Sequence, residues 1–195
     1  MKIVGICSGH DCSYAVFEDG VPIVHNELER FNRKKEPIDD ALKFLFDTYE
    51  DVGDIKHISY CVNAWKGGIA SRYPDTFNKA LSIVKKNGGN FWPNKQNFQI
   101  PGHHQCHAAN AFYSSNFDEA LILTIDGGGE DYNNDGKYLQ TAFTAWKGVD
   151  NKIHNLDVIP MNEINLGTLW DNYTTKVFGL SGTGGSMGSQ AGTVM

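Results

Sequence analysis

The chain has 195 residues, 41% of them apolar and 12% aromatic, with 21 glycines and a formal net charge of −6. That supplies a core for one or two small globular domains and excludes a disordered or collagen-like chain. No apolar run approaches the roughly 18 residues of a membrane span, and Met1-Lys2-Ile3-Val4-Gly5-Ile6 lacks the longer apolar region and small-residue cleavage site of a signal peptide. Cys7, Cys12, Cys61 and Cys106 form no CxxC pair, so reduced thiols and a cytoplasmic location are expected. The acidic balance argues against a general nucleic-acid coat, which needs many Lys and Arg facing phosphates. Any anion site is then local.

In chain order, Lys2 to Cys7 and Ser13 to Glu18 read as strands. Asp19-Gly20 before Val21 to His25 is a strong hairpin signal, because both turn positions need positive φ. Three antiparallel strands are therefore expected to open the fold. After a basic stretch, Ala41, Leu42, Leu45, Phe46 and Tyr49 recur at helical spacing behind Pro37 and Asp39-Asp40. Ile55 to Val62 reads as a buried strand, Thr76 to Lys85 as a helix ending before Asn87-Gly88-Gly89, and Phe98 to Ile100 as a short strand. Ala108, Ala109 and Ala111 predict a helix over His103 to Tyr113. The order is βββαβαβα, an α/β layout.

The pattern then restarts. Ala120 to Ile125 reads as a strand ending in a turn at Asp126-Gly127-Gly128-Gly129-Glu130-Asp131, followed by strands near Leu139 to Trp146 and Ile153 to Ile159 and a helix from Leu166 to Phe178. Strand, glycine-bearing turn, hairpin and helix thus occur twice, an internal repeat that predicts two related halves, 1–118 and 119–195. The crossover elements of the second half are missing, so a truncated second half is expected. The apolar surface it would leave favours self-association.

The densest chemistry is Gly102-His103-His104-Gln105-Cys106-His107. On a helix His103 and His107 share one face, the geometry by which two imidazoles grip one metal ion, while His104 points about 100° away. That spacing alone equally serves a helix start whose histidines cap and pack. Asp126, at a strand end where α/β sites gather, adds a carboxylate. Two His and one carboxylate form an open site suited to Fe(II) or Zn.

Consecutive glycines also let backbone amides approach a phosphate, which applies to Gly127, Gly128 and Gly129 and to Ser8-Gly9-His10-Asp11, although each loop alone is usually only a turn. No Gly-Lys-Ser/Thr occurs, so a P-loop ATPase is disfavoured. The basic stretch Arg30, Arg33, Lys34, Lys35 reads by composition as a solvated loop, or by function as a segment closing over an anionic substrate. Cys106 reads as a small packed residue rather than a nucleophile, since adjacent helix positions diverge.

These residues resemble a known family. Gly9-His10-Asp11, Glu29-Arg30-Phe31 with Arg33 and Lys35, His103-His104-Gln105-Cys106-His107-Ala108-Ala109 with Ala111-Phe112-Tyr113, and Asp126-Gly127-Gly128-Gly129-Glu130 look like the ATP-dependent O-carbamoyltransferases of the NodU/CmcH type. The tail from Gly179-Leu180-Ser181-Gly182 to Met195 fits the same resemblance. It implies an actin/Hsp70-like ATPase fold with ribonuclease-H-like halves, and an N-terminal part of such an enzyme. It further implies transfer of a carbamoyl group from carbamoyl phosphate, through a carbamoyl-adenylate made with ATP, to a hydroxyl of a small acceptor. By that resemblance His103, His107 and Asp126 are metal ligands, with iron favoured. His10 and Lys35 match positions contacting the carbamoyl-adenylate, Asp11 orients His10, and Gly9 and the Asp126 loop hold phosphates.

The family's nucleotide-binding half, a further metal carboxylate and the adenylate-forming domain fall downstream of residue 195, so the chain by itself is expected to be inert. Cys106 stands where the family usually has a small residue. The competing readings are a non-catalytic metal- or nucleotide-binding module and a relative of the tRNA threonylcarbamoyl-transfer enzyme, against which the Asp-Gly-Gly-Gly-Glu loop speaks. A sugar kinase or Hsp70-like chaperone has no reason to keep His103 and His107 at that spacing.

Overall fold

A computed structural model describes residues 1–8, 11–34, 37–60, 72–92, 102–132 and 137–179. It is a mixed α/β structure of two compact units, Met1–Pro101 and Gly102–Met195. No helix among the described residues is long and apolar enough to cross a membrane.

In the first unit β1 (Lys2–Cys7), β2 (Ser13–Glu18) and β3 (Val21–Glu27) form an antiparallel meander. Asp19 and Gly20 both take positive φ, 49° and 85°, which matches the turn to the twist of the strands it joins. A short helix α1 (Leu28–Asn32) follows, ended by Arg33 at φ 60°. Part of the basic stretch read as loop is therefore helical. Helix α2 (Ala41–Thr48) leads through a 3-10 turn to β4 (Ile55–Tyr60), and α3 (Pro74–Lys86) leads to β5 (Phe91–Trp92). The sheet order is β3-β2-β1-β4-β5, with β4 parallel to β1 and β5 parallel to β4.

Alternation along the strands buries Val4, Ile6, Tyr14 and Val16 with Leu42 and Leu45 of α2 and Val84 of α3. The start of α2 is fixed by Asp40, whose Oδ1 accepts the amides of Leu42 and Lys43 at 3.0 and 3.2 Å. Its Oδ2 accepts the Thr76 hydroxyl at 2.6 Å and so ties α2 to the first turn of α3. That helix begins two residues before the expected Thr76, with Pro74 at its N1 position. Strand β5 is two residues long, too short for any period to show. The expected strand at 98–100, residues 61 and 62 of the expected β4, and the tail from 180 lie outside the described residues.

In the second unit α4 (His103–Tyr113) precedes β6 (Glu119–Tyr132), β7 (Tyr138–Val149) and β8 (Lys152–Pro160), an antiparallel sheet in the order β6-β7-β8. Helix α5 (Leu166–Asn172) continues as a π-helical turn, Tyr173–Val177. Each sheet thus contains an antiparallel three-stranded meander with a helix after it. Helix α4, assigned by chain order to the end of the first half, belongs to the second unit, because Ala108 and Phe112 pack with Ile122 and Trp146.

One expectation is corrected here. The glycines after Asp126 do not end the strand: Ile125 pairs with Phe143 and pairing resumes at Gly129 with Thr141, so Asp126 to Gly128 form a bulge within one long β6. On β6, Ile122 and Thr124 are buried, whereas Leu121, Leu123 and Ile125 are 66%, 52% and 54% exposed.

Because Asp40 serves both helix starts, Asp40→Ala is expected to lower stability by about 1–2 kcal/mol, whereas Asp40→Asn, whose Oδ1 still accepts the α2 amides, should avoid most of that loss. Urea unfolding midpoints check this. An unchanged midpoint in Asp40→Ala would mean the cap contributes nothing.

Candidate metal centre

Helix α4 carries His103 and His107 one turn apart on the same face, with ring centroids 4.6 Å apart. Their Nε2 atoms approach to 3.0 Å. Asp126 stands at the β6 bulge and brings Oδ2 to 2.7 Å from His103 Nε2 and 3.5 Å from His107 Nε2. The three donor atoms lie within 4.8 Å of one another. Two facing imidazole nitrogens cannot both accept, so without a cation at least one proton must sit among them. A metal ion at that point would meet two imidazole lone pairs and a carboxylate, and the residues fit such an ion.

The electrostatics agree with a cation-seeking site. Hydrogen bonds from His103 and then His107 hold the Asp126 carboxyl far below the usual carboxylate range, against the opposing effect of burial. The Asp126 contact raises the His107 imidazole above its ordinary value, again against burial.

The glycines of the bulge permit close packing. A Cβ on Gly129 would lie 2.4 Å from the His103 ring, and one on Gly128 would lie 2.9 Å from Met161 Sδ. A Cβ on Gly167, at the start of α5, would lie 2.4 Å from Gly127 Cα. Gly127 donates its amide to Asp126 Oδ1 at 2.6 Å, and its carbonyl accepts Asn165 Nδ2 at 2.9 Å. The same Asn165 caps α5 by accepting the Thr168 amide at 2.7 Å.

Residues that spacing does not mark lie beside the centre. His104 is fully buried, and its Nδ1 donates to Asp131 Oδ2 at 2.6 Å. Asp131 also accepts the Thr141 hydroxyl at 2.8 Å. Burial opposes ionisation of Asp131, but the hydrogen bonds from His104 and Thr141 outweigh it and keep the carboxyl below its usual range. Asp131 lies in a stretch read as a turn, and only strand pairing places it against the helix.

Of the other expected site residues, Asp11 is exposed with φ 62° in the first unit, while Gly9, His10 and Lys35 lie outside the described residues. Cys106 is half-buried and forms no disulfide.

No protein-family model matches the chain. The uncharacterized protein sll1178 of Synechocystis sp. (strain ATCC 27184 / PCC 6803 / Kazusa) is 30% identical over 149 residues, covering 62% of this chain and 24% of that protein. The chain thus spans about a quarter of the length of this curated relative. Among solved structures, YeaZ from Pseudomonas aeruginosa is similar over 84% of this chain and 71% of its own, with a TM-score of 0.40 and 8% identity. At that TM-score the likeness assigns no fold.

In the metal-free protein His107 should titrate above about 6.5, and Asp126→Asn should return it toward that value, as read by NMR titration of the ring protons. A raised folded-state pKa stabilises the fold fully below the unfolded histidine pKa, and this contribution is lost as pH rises through the folded value. A His107 titration that Asp126→Asn leaves unmoved would contradict the contact.

Proposed function

We propose that this chain is the N-terminal part of an ATP-dependent O-carbamoyltransferase of the NodU/CmcH type, with an actin/Hsp70-like fold and ribonuclease-H-like halves. The observation that carries the reading is the convergence of His103, His107 and Asp126, the residues named as metal ligands by the resemblance, around one point. The meander-and-helix grammar of both sheets supports the two-halves part of it.

In this reading His103 and His107 offer imidazole lone pairs and Asp126 offers a carboxylate to a divalent ion, Fe(II) in preference to Zn(II). When bound, the ion neutralises charge on phosphoryl and carbamoyl oxygens. Asp126 holds the Gly127 amide with its second oxygen, which fixes the direction of the ligating one. By the resemblance, Lys35 and His10 match positions that contact the carbamoyl-adenylate, with Asp11 orienting His10. By the same resemblance, Gly9 and Gly127 to Gly129 are the phosphate-binding positions. The partners are carbamoyl phosphate, ATP and a small hydroxyl-bearing acceptor in the cytoplasm. The exposed Leu121, Leu123 and Ile125 favour self-association of the isolated chain. Alone, these residues bind metal without turnover, since the adenylate-forming machinery belongs to the remainder of the enzyme.

One observation favours the competing reading of a metal-binding module: all three ligands come from α4 and β6 of a single compact unit. Turnover by a full-length relative separates the two.

Purified chain exposed anaerobically to Fe(II), or to Zn(II), should retain about one ion per chain after desalting. His107→Ala and Asp126→Ala should each weaken retention by more than about 100-fold, beyond the 10–100-fold typical of outer-shell changes. Affinity should fall as pH drops through the raised His107 pKa, because the ligand must be neutral. Equal metal retention in wild type and both variants would sink the assignment.

A further inference from the structure

Helix α4 begins at a residue that has no side chain to cap it. Gly102 is the N-cap, so the first amides of the helix need acceptors from elsewhere. Gln105 Oε1 reaches back to the Gly102 amide at 3.2 Å. Two amides of the first turn, those of His104 and Gln105, both end on Asp131 Oδ1, at 3.0 and 3.2 Å. The other oxygen of Asp131 holds the His104 imidazole and the Thr141 hydroxyl of β7. Asp131, His104 and Thr141 are each 0% exposed. Gly102 makes room for this carboxylate, since a Cβ there would lie 2.2 Å from Oδ1.

We propose that Asp131 is the positioning residue of the metal centre: it fastens the first turn of α4 to β6 and thereby sets how His103 and His107 face Asp126. The proposal rests on the metal-centre reading. Asp126 lies in the bulge, where the β6–β7 ladder is interrupted between Ile125 and Gly129. The ladder alone therefore does not hold Asp126 at a set distance from the helix. Asp131 sits where pairing has resumed, opposite Leu139, and supplies that link. A second link runs through His104. Its Nε2 has no hydrogen-bond partner among the described residues, so the ring is anchored by polar contacts on its Nδ1 side alone. Its ring packs edge-on to the His103 ring, with centroids 5.1 Å apart at 75°. The orientation of a metal-facing imidazole thus depends on the carboxylate behind its neighbour.

The test uses Co(II) added to the full chain, read as binding affinity and as the d–d absorption bands that report ligand geometry. Asp131→Asn keeps the oxygen that accepts the two amides but turns an NH₂ group toward His104 and Thr141, forcing the opposite histidine tautomer. It should fold, bind Co(II) about 10-fold more weakly and shift the bands; Asp131→Ala, where it folds, should lose about 10–100-fold. Thr141→Val should shift the bands in the same sense, and Thr141→Ser should restore them. A folded Asp131→Asn with wild-type affinity and bands overturns the positioning role and leaves the metal centre standing. A wild-type chain that takes up no Co(II) overturns both.

Discussion

A buried carboxylate on β6, Asp131, accepts two main-chain amides of α4, one imidazole proton and one hydroxyl proton. Burying a carboxylate is costly unless nearly all of its acceptor capacity is used. Here four donors meet it, and the start of a helix, where amides point outward and the dipole is positive, is a favourable place for the charge. The seat of α4 on its sheet follows from this contact, and the placement of His103 and His107 follows from that seat. Asp126, on the same strand but inside its bulge, completes the centre.

Close approach of helix to sheet is the second constraint, and glycine meets it. Gly102 lies against Asp131, Gly129 against the ring of His103, and Gly148 of β7 against the ring of Phe112, each at a distance that leaves no room for a Cβ. These contacts run from the first turn of α4 to its last. The glycine-rich stretch after Asp126 therefore has a packing role within the second unit.

The two units solve the same capping problem by different routes. Asp40 is the N-cap residue of α2 and bonds its own helix through one oxygen while holding Thr76 with the other. Asp131 divides its oxygens in the same way but reaches a helix 27 residues earlier in the chain. The cores differ accordingly. The first unit buries a continuous apolar cluster of strand and helix side chains. The second also buries polar side chains that bond one another, such as the Thr124 and Thr144 hydroxyls at 2.6 Å, with Trp146 Nε1 donating to Thr144 at 2.6 Å. A core rich in such directional contacts specifies one arrangement more narrowly than an apolar one.

Local periodicity sufficed for much of this. Alternation located β1 and β2, Asp19-Gly20 located the β2–β3 hairpin, and the alanines with the one-turn spacing of His103 and His107 located α4 and the side that carries both imidazoles, because each of these features is set within a few residues. The sequence also marked Asp126 as the carboxylate to watch. Tertiary structure alone decided that the glycines bulge within a strand instead of ending it, that α4 packs with the second sheet, and that Asp131 caps it. Those outcomes depend on the register between strands and on which acceptor reaches an uncapped helix start. Neither leaves a repeat in the sequence, since the partners are joined through space and not by spacing along the chain.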